Sequence, residues 1–166
     1  METIRPITPC MWFDDQAEEA VEYYTSIFKN SKVIQLSRFG EAGYEQHQRP
    51  AGSVMTIDFE LDGQPFTALN GGPFFKFNEA VSFQVFCETQ DEIDYYWKKL
   101  GAGGDESAQQ CGWLKDKYGV SWQIIPSILS MMMTDPNYEK KERAMEAMLK
   151  MKKLDIDMLT RAYADL

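Results

Sequence analysis

Basic side chains and histidine are scarce in this chain. Lys and Arg number 17 against 26 Asp and Glu in 166 residues, a formal net charge of −9. A polyanion would be repelled, and no basic stretch dense enough to neutralise a row of phosphates occurs. Nucleic acid is therefore excluded as a partner, and an anionic membrane surface is disfavoured. A single histidine, His47, and three widely spaced cysteines, Cys10, Cys87 and Cys111, form no Cys-x-x-Cys pair and no His/Cys cluster. Neither a zinc site nor a dithiol redox pair is signalled. No apolar run approaches the roughly 18–20 residues of a membrane span, so no membrane partner is expected. The opening Met1-Glu2-Thr3-Ile4-Arg5-Pro6 lacks the basic-then-apolar plan of a signal peptide, so a cytoplasmic protein is expected.

What is present is material for a core. The chain is 44% hydrophobic and 13% aromatic, and at this length roughly 68–70% of the unfolded surface is buried on folding. Ile4 to Phe13 reads as a mostly buried strand. Asp15 is expected to open a helix with Glu18 as its capping-box partner, and Ala17, Ala20, Val21, Tyr24, Ile27 and Phe28 follow helical spacing. Strand-like runs follow at Val33–Phe39, Val54–Leu61 and Gln64–Leu69, the last two joined by the turn pair Asp62-Gly63. Gly40 to Gly52 reads as a long polar loop carrying His47.

The order then restarts. Val81–Cys87 reads as a strand and Thr89 as a helix cap with Glu92 closing the box. The strands Trp113–Lys117 and Val120–Ile125 turn at Tyr118-Gly119. Val21-Glu22-Tyr23-Tyr24 recurs as Ile93-Asp94-Tyr95-Tyr96, so two tandem βαβββ modules are the simplest account. The expected division is a domain over residues 1–126, with modules over 1–72 and 78–126, and a helical extension over 127–166. In that extension Asp135-Pro136 is expected to start one helix and Asp155 to cap another. The Met-rich helical faces are expected to pack on the same chain or on a sister subunit.

Several of these segments carry a resemblance. Ile7-Thr8-Pro9-Cys10-Met11-Trp12-Phe13, Leu69-Asn70-Gly71-Gly72-Pro73 with Phe75 to Phe83, and Tyr118-Gly119-Val120-Ser121-Trp122-Gln123-Ile124-Ile125-Pro126 resemble PhnB-like proteins. That branch of the glyoxalase/bleomycin-resistance/extradiol-dioxygenase fold (the vicinal oxygen chelate superfamily) is often labelled demethylubiquinone methyltransferase-like. The tail Met145 to Ile156 is similar to the tails of its longer members. The resemblance implies an α+β fold with a cup-shaped mixed sheet, a small-molecule site inside it, and a homodimer or dimer-like pairing of modules. The methyltransferase label is not adopted as chemistry: no Gly-rich loop follows a strand, and S-adenosylmethionine binding is not expected.

In metal-dependent relatives a ligand, often histidine, stands early in the first strand of each module, and another, often glutamate, in the last. The resemblance places Thr8 and Ser82 at the former positions, and Thr67 and Gln123 at the latter. Neutral hydroxyl and amide oxygens are weak ligands for a divalent ion, so no tightly held metal and no cofactor are expected. Strand alternation puts Thr8, Cys10 and Trp12 on one face, and Ser82, Gln84 and Phe86 on one face of the matching strand. These residues, with Thr67 and Gln123, are the expected ligand-binding set. Trp12 and Phe86 are read equally as core or as lining. Cys10 reads as a buried spectator thiol, since the only histidine lies in a distant loop. His47 is a loop surface residue or a group over the cup's mouth. Phe74, Phe75 and Phe77 form a crossover or a flap.

Two functions follow as expectations. The first is a protein that binds a small, partly apolar organic molecule without a tight metal. The second is an enzyme of the same superfamily, a lyase, isomerase or dioxygenase-like relative, using a labile metal or acid/base groups that the sequence does not identify.

Overall fold

The computed structural model describes residues 7–166, so Ile4 to Pro6 of the expected first strand lie outside the described residues. The chain divides into two compact units, residues 1–76 and 77–166.

In the first unit the order is β1 (Cys10–Phe13), α1 (Ala17–Ile27), β2 (Lys32–Arg38), a single helical turn α2 (Tyr44–His47), β3 (Val54–Leu61) and β4 (Gln64–Asn70). The sheet order is β1-β4-β3-β2, with β1 parallel to β4 and the other pairs antiparallel. Asp62 and Gly63 both take positive φ, as a two-residue hairpin turn requires, and they hold Leu61 opposite Gln64. One sheet face buries Met11, Ile57, Phe59 and Ala68, and α1 turns its buried Ala20, Val21 and Tyr24 inward. The other face carries no helix of this unit and is half-buried to exposed.

The start of α1 departs from expectation. The helix begins at Ala17, and no side-chain bond from Asp15 or Gln16 caps it. The cap comes instead from the buried Asn70, whose Oδ1 accepts from Ala17 N (2.9 Å). A local Asp is displaced because a strand-end amide already fills the acceptor position.

The second unit runs β5 (Ser82–Cys87), α3 (Gln90–Gly101), a 3-10 turn (Glu106–Ala108), β6 (Trp113–Lys115) and β7 (Ser121–Pro126), then α4 (Ser127–Thr134), α5 (Tyr138–Leu149) and α6 (Ile156–Ala164). The sheet order is β5-β7-β6. The Thr89 cap is as expected: its side chain accepts from Glu92 N (3.2 Å) while Glu92 accepts from Thr89 N (3.3 Å). This sheet has three strands where the first has four. In place of a second strand, Asp105 takes Ser107 N and Ser107 Oγ (2.9 and 2.6 Å) in a stretch without β-branched residues. The whole is a mixed α+β fold with two sheets and added helices.

The tail packs on its own chain. Leu129, Met132, Ala144, Met151, Leu154 and Leu159 form one buried cluster that also meets Ile125 of β7. Main-chain bonds from Cys111 N to Met151 O (2.9 Å) and from Gly112 N to Lys152 O (2.8 Å) fasten it. The Asp155 cap forms as expected, accepting from Met158 N (2.8 Å). The Asp135-Pro136 start does not: α4, which no cap motif announces, ends at Asp135, and Asn137 caps α5 instead by accepting from Lys140 N (3.1 Å). Asp135 is held by Asn137 N and by the Tyr163 hydroxyl.

Candidate functional site

The register of the first sheet sets residues of its helix-free face in straight rows. Cys10 stands opposite Thr67, Thr67 opposite Asp58, and Asp58 opposite Gln35, one residue from each strand. The next row on the same face is Trp12, Leu69, Thr56 and Ser37. Side chains bind along these rows. The Thr67 hydroxyl donates to Asp58 Oδ1 (2.7 Å), and the Gln35 amide donates to Asp58 Oδ2 (2.7 Å). The Ser37 and Thr56 hydroxyls bond to each other at 2.6 Å.

Trp12 is half-buried and fixed. Its indole N–H donates to Gly72 O (2.8 Å), and its ring meets Phe75 edge-on with centroids 4.8 Å apart. Gly71 leaves the room: a Cβ there would lie 2.3 Å from the indole. Phe74 and Phe75 are 76% and 65% exposed, so neither is core.

Cys10 is exposed at the end of its row, yet its thiol is pushed up, first by partial desolvation and then by the nearby Asp58 carboxylate. A thiol held protonated is a poor nucleophile, but the expected burial is not found: Cys10 opens a strand at the sheet's edge and is exposed. Thr8 is exposed and precedes β1 without belonging to it.

In the second unit the face opposite the buried Trp122 and Ile124 carries Ser82, Ser121 and Lys115 in one row and Gln84, Gln123 and Trp113 in the next; beyond them Phe86 stands beside Ile125, which meets the helical cluster of the tail. An amide chain links the rows: Gln84 Nε2 donates to Gln123 Oε1 (3.3 Å), and Gln123 Nε2 donates to Ser82 Oγ (2.8 Å). Among the described residues the Ser82 hydroxyl has no acceptor for its own proton. Phe86 is 57% exposed. Ser121 Oγ is buried with no hydrogen-bond partner among the described residues. Lys115 is occupied by Glu79.

The expected residues thus fall into one set in each unit: Cys10, Trp12 and Thr67 on the first face, and Ser82, Gln84, Phe86 and Gln123 on the second. Sequence reasoning missed Asp58 and Gln35. The available signal was the alternation Thr56, Asp58, Glu60 against the buried Ile57, Phe59 and Leu61 in β3. His47 belongs to neither face. Its Nδ1 accepts from Arg49 N (3.0 Å), which makes Nε2 the donor to Ala42 O (3.2 Å), so it organises the loop.

Among the described residues no three His, Cys, Asp or Glu side chains cluster as a metal site. On the first face the Asp58 carboxylate stands beside hydroxyl, amide and thiol groups while Glu60 is paired with Lys32, and the row on the second face is neutral amide and hydroxyl. This donor chemistry does not fit a tightly held divalent ion. No helix among the described residues is long and apolar enough to cross a membrane.

Comparison with known proteins places the fold. Residues 5–125 match the family described as 3-demethylubiquinone-9 3-methyltransferase. A PhnB protein from Bacillus cereus, which carries the same methyltransferase designation provisionally, is 36% identical over 74% of this chain and all of its own, with a TM-score of 0.62. Protein PA1353 from Pseudomonas aeruginosa, 16% identical over 72% of this chain and 96% of its own, superposes with a TM-score of 0.54. The fosfomycin resistance protein FosX from Listeria monocytogenes, 14% identical over 80% of this chain and all of its own, gives 0.51. These last two likenesses concern the fold alone. No curated protein matches the chain. The match over residues 5–125 and the 36% identity to the Bacillus cereus PhnB protein lead to one assignment: the chain belongs to the PhnB-like 3-demethylubiquinone-9 3-methyltransferase family of the vicinal oxygen chelate superfamily.

Proposed function

We propose that the chain binds a small, partly apolar organic molecule on the sheet faces that carry these rows, without a tightly held metal, and works as a cytosolic homodimer. The observation that supports the reading is the pairing of rings with incompletely used hydrogen-bonding groups. Trp12 lies one row from Cys10, Thr67 and Asp58, and Phe86 lies one row from Gln84 and Gln123. Buried or half-buried polar groups that keep free lone pairs or protons cost stability unless something engages them. A site that mixes apolar surface with a few convergent polar atoms suits a small organic ligand.

The fold hosts many chemistries, and the methyltransferase in the family's description enters the test as the competing reading. Calorimetry with catechols, quinones, dicarbonyls, aromatic amines and S-adenosylmethionine should give binding to a member of the first four groups without added metal. Thr67→Val and Gln123→Leu should weaken it about tenfold. Tight binding of S-adenosylmethionine, turnover of any panel member, or binding that requires zinc, nickel, manganese or iron would overturn the reading. A monomeric mass by light scattering at micromolar concentration would remove the dimer.

A further inference from the structure

We propose that Asp58 makes the first sheet's face selective for an organic cation, in particular an amine joined to an aromatic ring by a short alkyl chain. The inference rests on the binding reading above and names the class of ligand.

The argument starts from charge. Asp58 is half-buried in β3, and its two oxygens receive one hydrogen bond each, from the Thr67 hydroxyl and the Gln35 amide. Both donors are neutral. An ionised carboxylate has about four lone-pair sites, so two remain. Three cations of this unit are engaged elsewhere: Arg49 pairs with Asp14 (2.8 Å), Lys32 with Glu60 (3.6 Å), and Arg38 donates to Gly52 O (2.8 Å). Among the described residues Asp58 makes no ion pair, unlike Asp14, Glu60 and Glu79. A carboxylate partly removed from water favours a cationic partner, and a charge-assisted bond to an N–H is about twice as strong as a neutral one.

The second element is the ring. The indole N–H bond to Gly72 O and the edge contact with Phe75 fix Trp12 before any ligand arrives. Asp58 and Trp12 share a face, two strands and one row apart. That is about 10 Å across the strands and about 7 Å along them at the backbone, with the indole lying over Gly71 and Gly72 at the far end of the diagonal. An aryl group against Trp12 with an ammonium reaching Asp58 fills this diagonal, and the net charge of −9 favours a cation's approach.

The test uses three isosteres: phenethylammonium, its neutral alcohol and the matching carboxylate, hydrocinnamate. Binding is read at the Trp12 indole N–H by NMR, the resonance being assigned with Trp12→Phe. The ammonium should bind at least about tenfold more tightly than the alcohol, and the carboxylate more weakly still. Added salt should weaken the ammonium alone. Asp58→Asn should abolish the preference, so that ammonium and alcohol bind equally, and an unmoved Trp12 indole resonance in the unliganded variant shows the face intact. Asp58→Glu should retain the preference. Equal binding of the three, or a preference that survives Asp58→Asn, would overturn this inference and leave the binding reading standing. If none of the three binds, this inference fails; if the wider panel is also silent, both fail.

Discussion

The amide oxygen of Asn70, at the end of β4, accepts the backbone N–H of Ala17, the first residue of α1, across 53 positions of sequence. The same side chain donates to Val54 O (3.1 Å) and is 5% exposed. One buried amide therefore ties a helix start to two strands. Asn70→Ala removes both bonds and leaves a buried carbonyl orphaned, a loss of about 2–4 kcal/mol. Denaturant unfolding measures it, and a loss under about 1 kcal/mol would refute the tie.

Two glycines three residues apart should respond with opposite signs. Gly101 closes α3, and a Cβ there would make only ordinary contacts, the nearest at 3.7 Å to Gln109. Gly101→Ala should stabilise by about 0.5–1 kcal/mol, the usual helical gain. At Gly104 a Cβ would lie 1.9 Å from Lys115 O. That neighbour is backbone and cannot swing aside, so Gly104→Ala should shift the midpoint down by more than about 2 kcal/mol. Equal effects from the pair would contradict the packing.

Cys87 gives the protein an alkaline limb. Burial, then Glu92 and Glu88, push its thiol from 9.0 up to about 12. The folded state thus keeps a proton that the unfolded chain releases first, so stability is full below pH 9 and falls as pH rises through about 12. Cys87→Val should flatten that limb when unfolding is followed from neutral pH upward. An unchanged pH profile would place the alkaline loss elsewhere.

Ser121 holds a hydroxyl out of water with no partner among the described residues. Deleting such a group removes a desolvation penalty, so Ser121→Ala should raise stability by about 1 kcal/mol. A loss of that size would show that the hydroxyl is engaged.

Local chemistry was legible in the sequence and distant chemistry was not. The Asp62-Gly63 hairpin, the Thr89–Glu92 box and the Asp155 cap act within a few residues, and each formed as expected. The cap on α1 was illegible because its acceptor arrives from β4. The α5 start slipped by two residues because Asp135 is drawn to Asn137 N and Tyr163, leaving Asn137 free to cap. The family was readable from the segments Ile7 to Phe13, Leu69 to Pro73 with Phe75 to Phe83, and Tyr118 to Pro126, and strand alternation set Cys10 with Trp12 and Ser82 with Gln84 and Phe86. Asp58 was not, since only the pairing of β3 with β4 and β2 reveals that it faces Thr67 and Gln35.

The tail's fastening to Cys111 and Gly112 runs through peptide groups, and Gln110 adds an amide bond to Leu149 O (3.0 Å). The tail sides of these bonds are carbonyls, which every residue type supplies. The appendage lies past the matched span of residues 5–125, and its moorings constrain conformation far more than composition. Outside the buried apolar cluster, substitutions in this segment should accordingly keep the same seam, so long as the position of Gly112, where any Cβ would strike Ile124 O at 2.9 Å, stays bare.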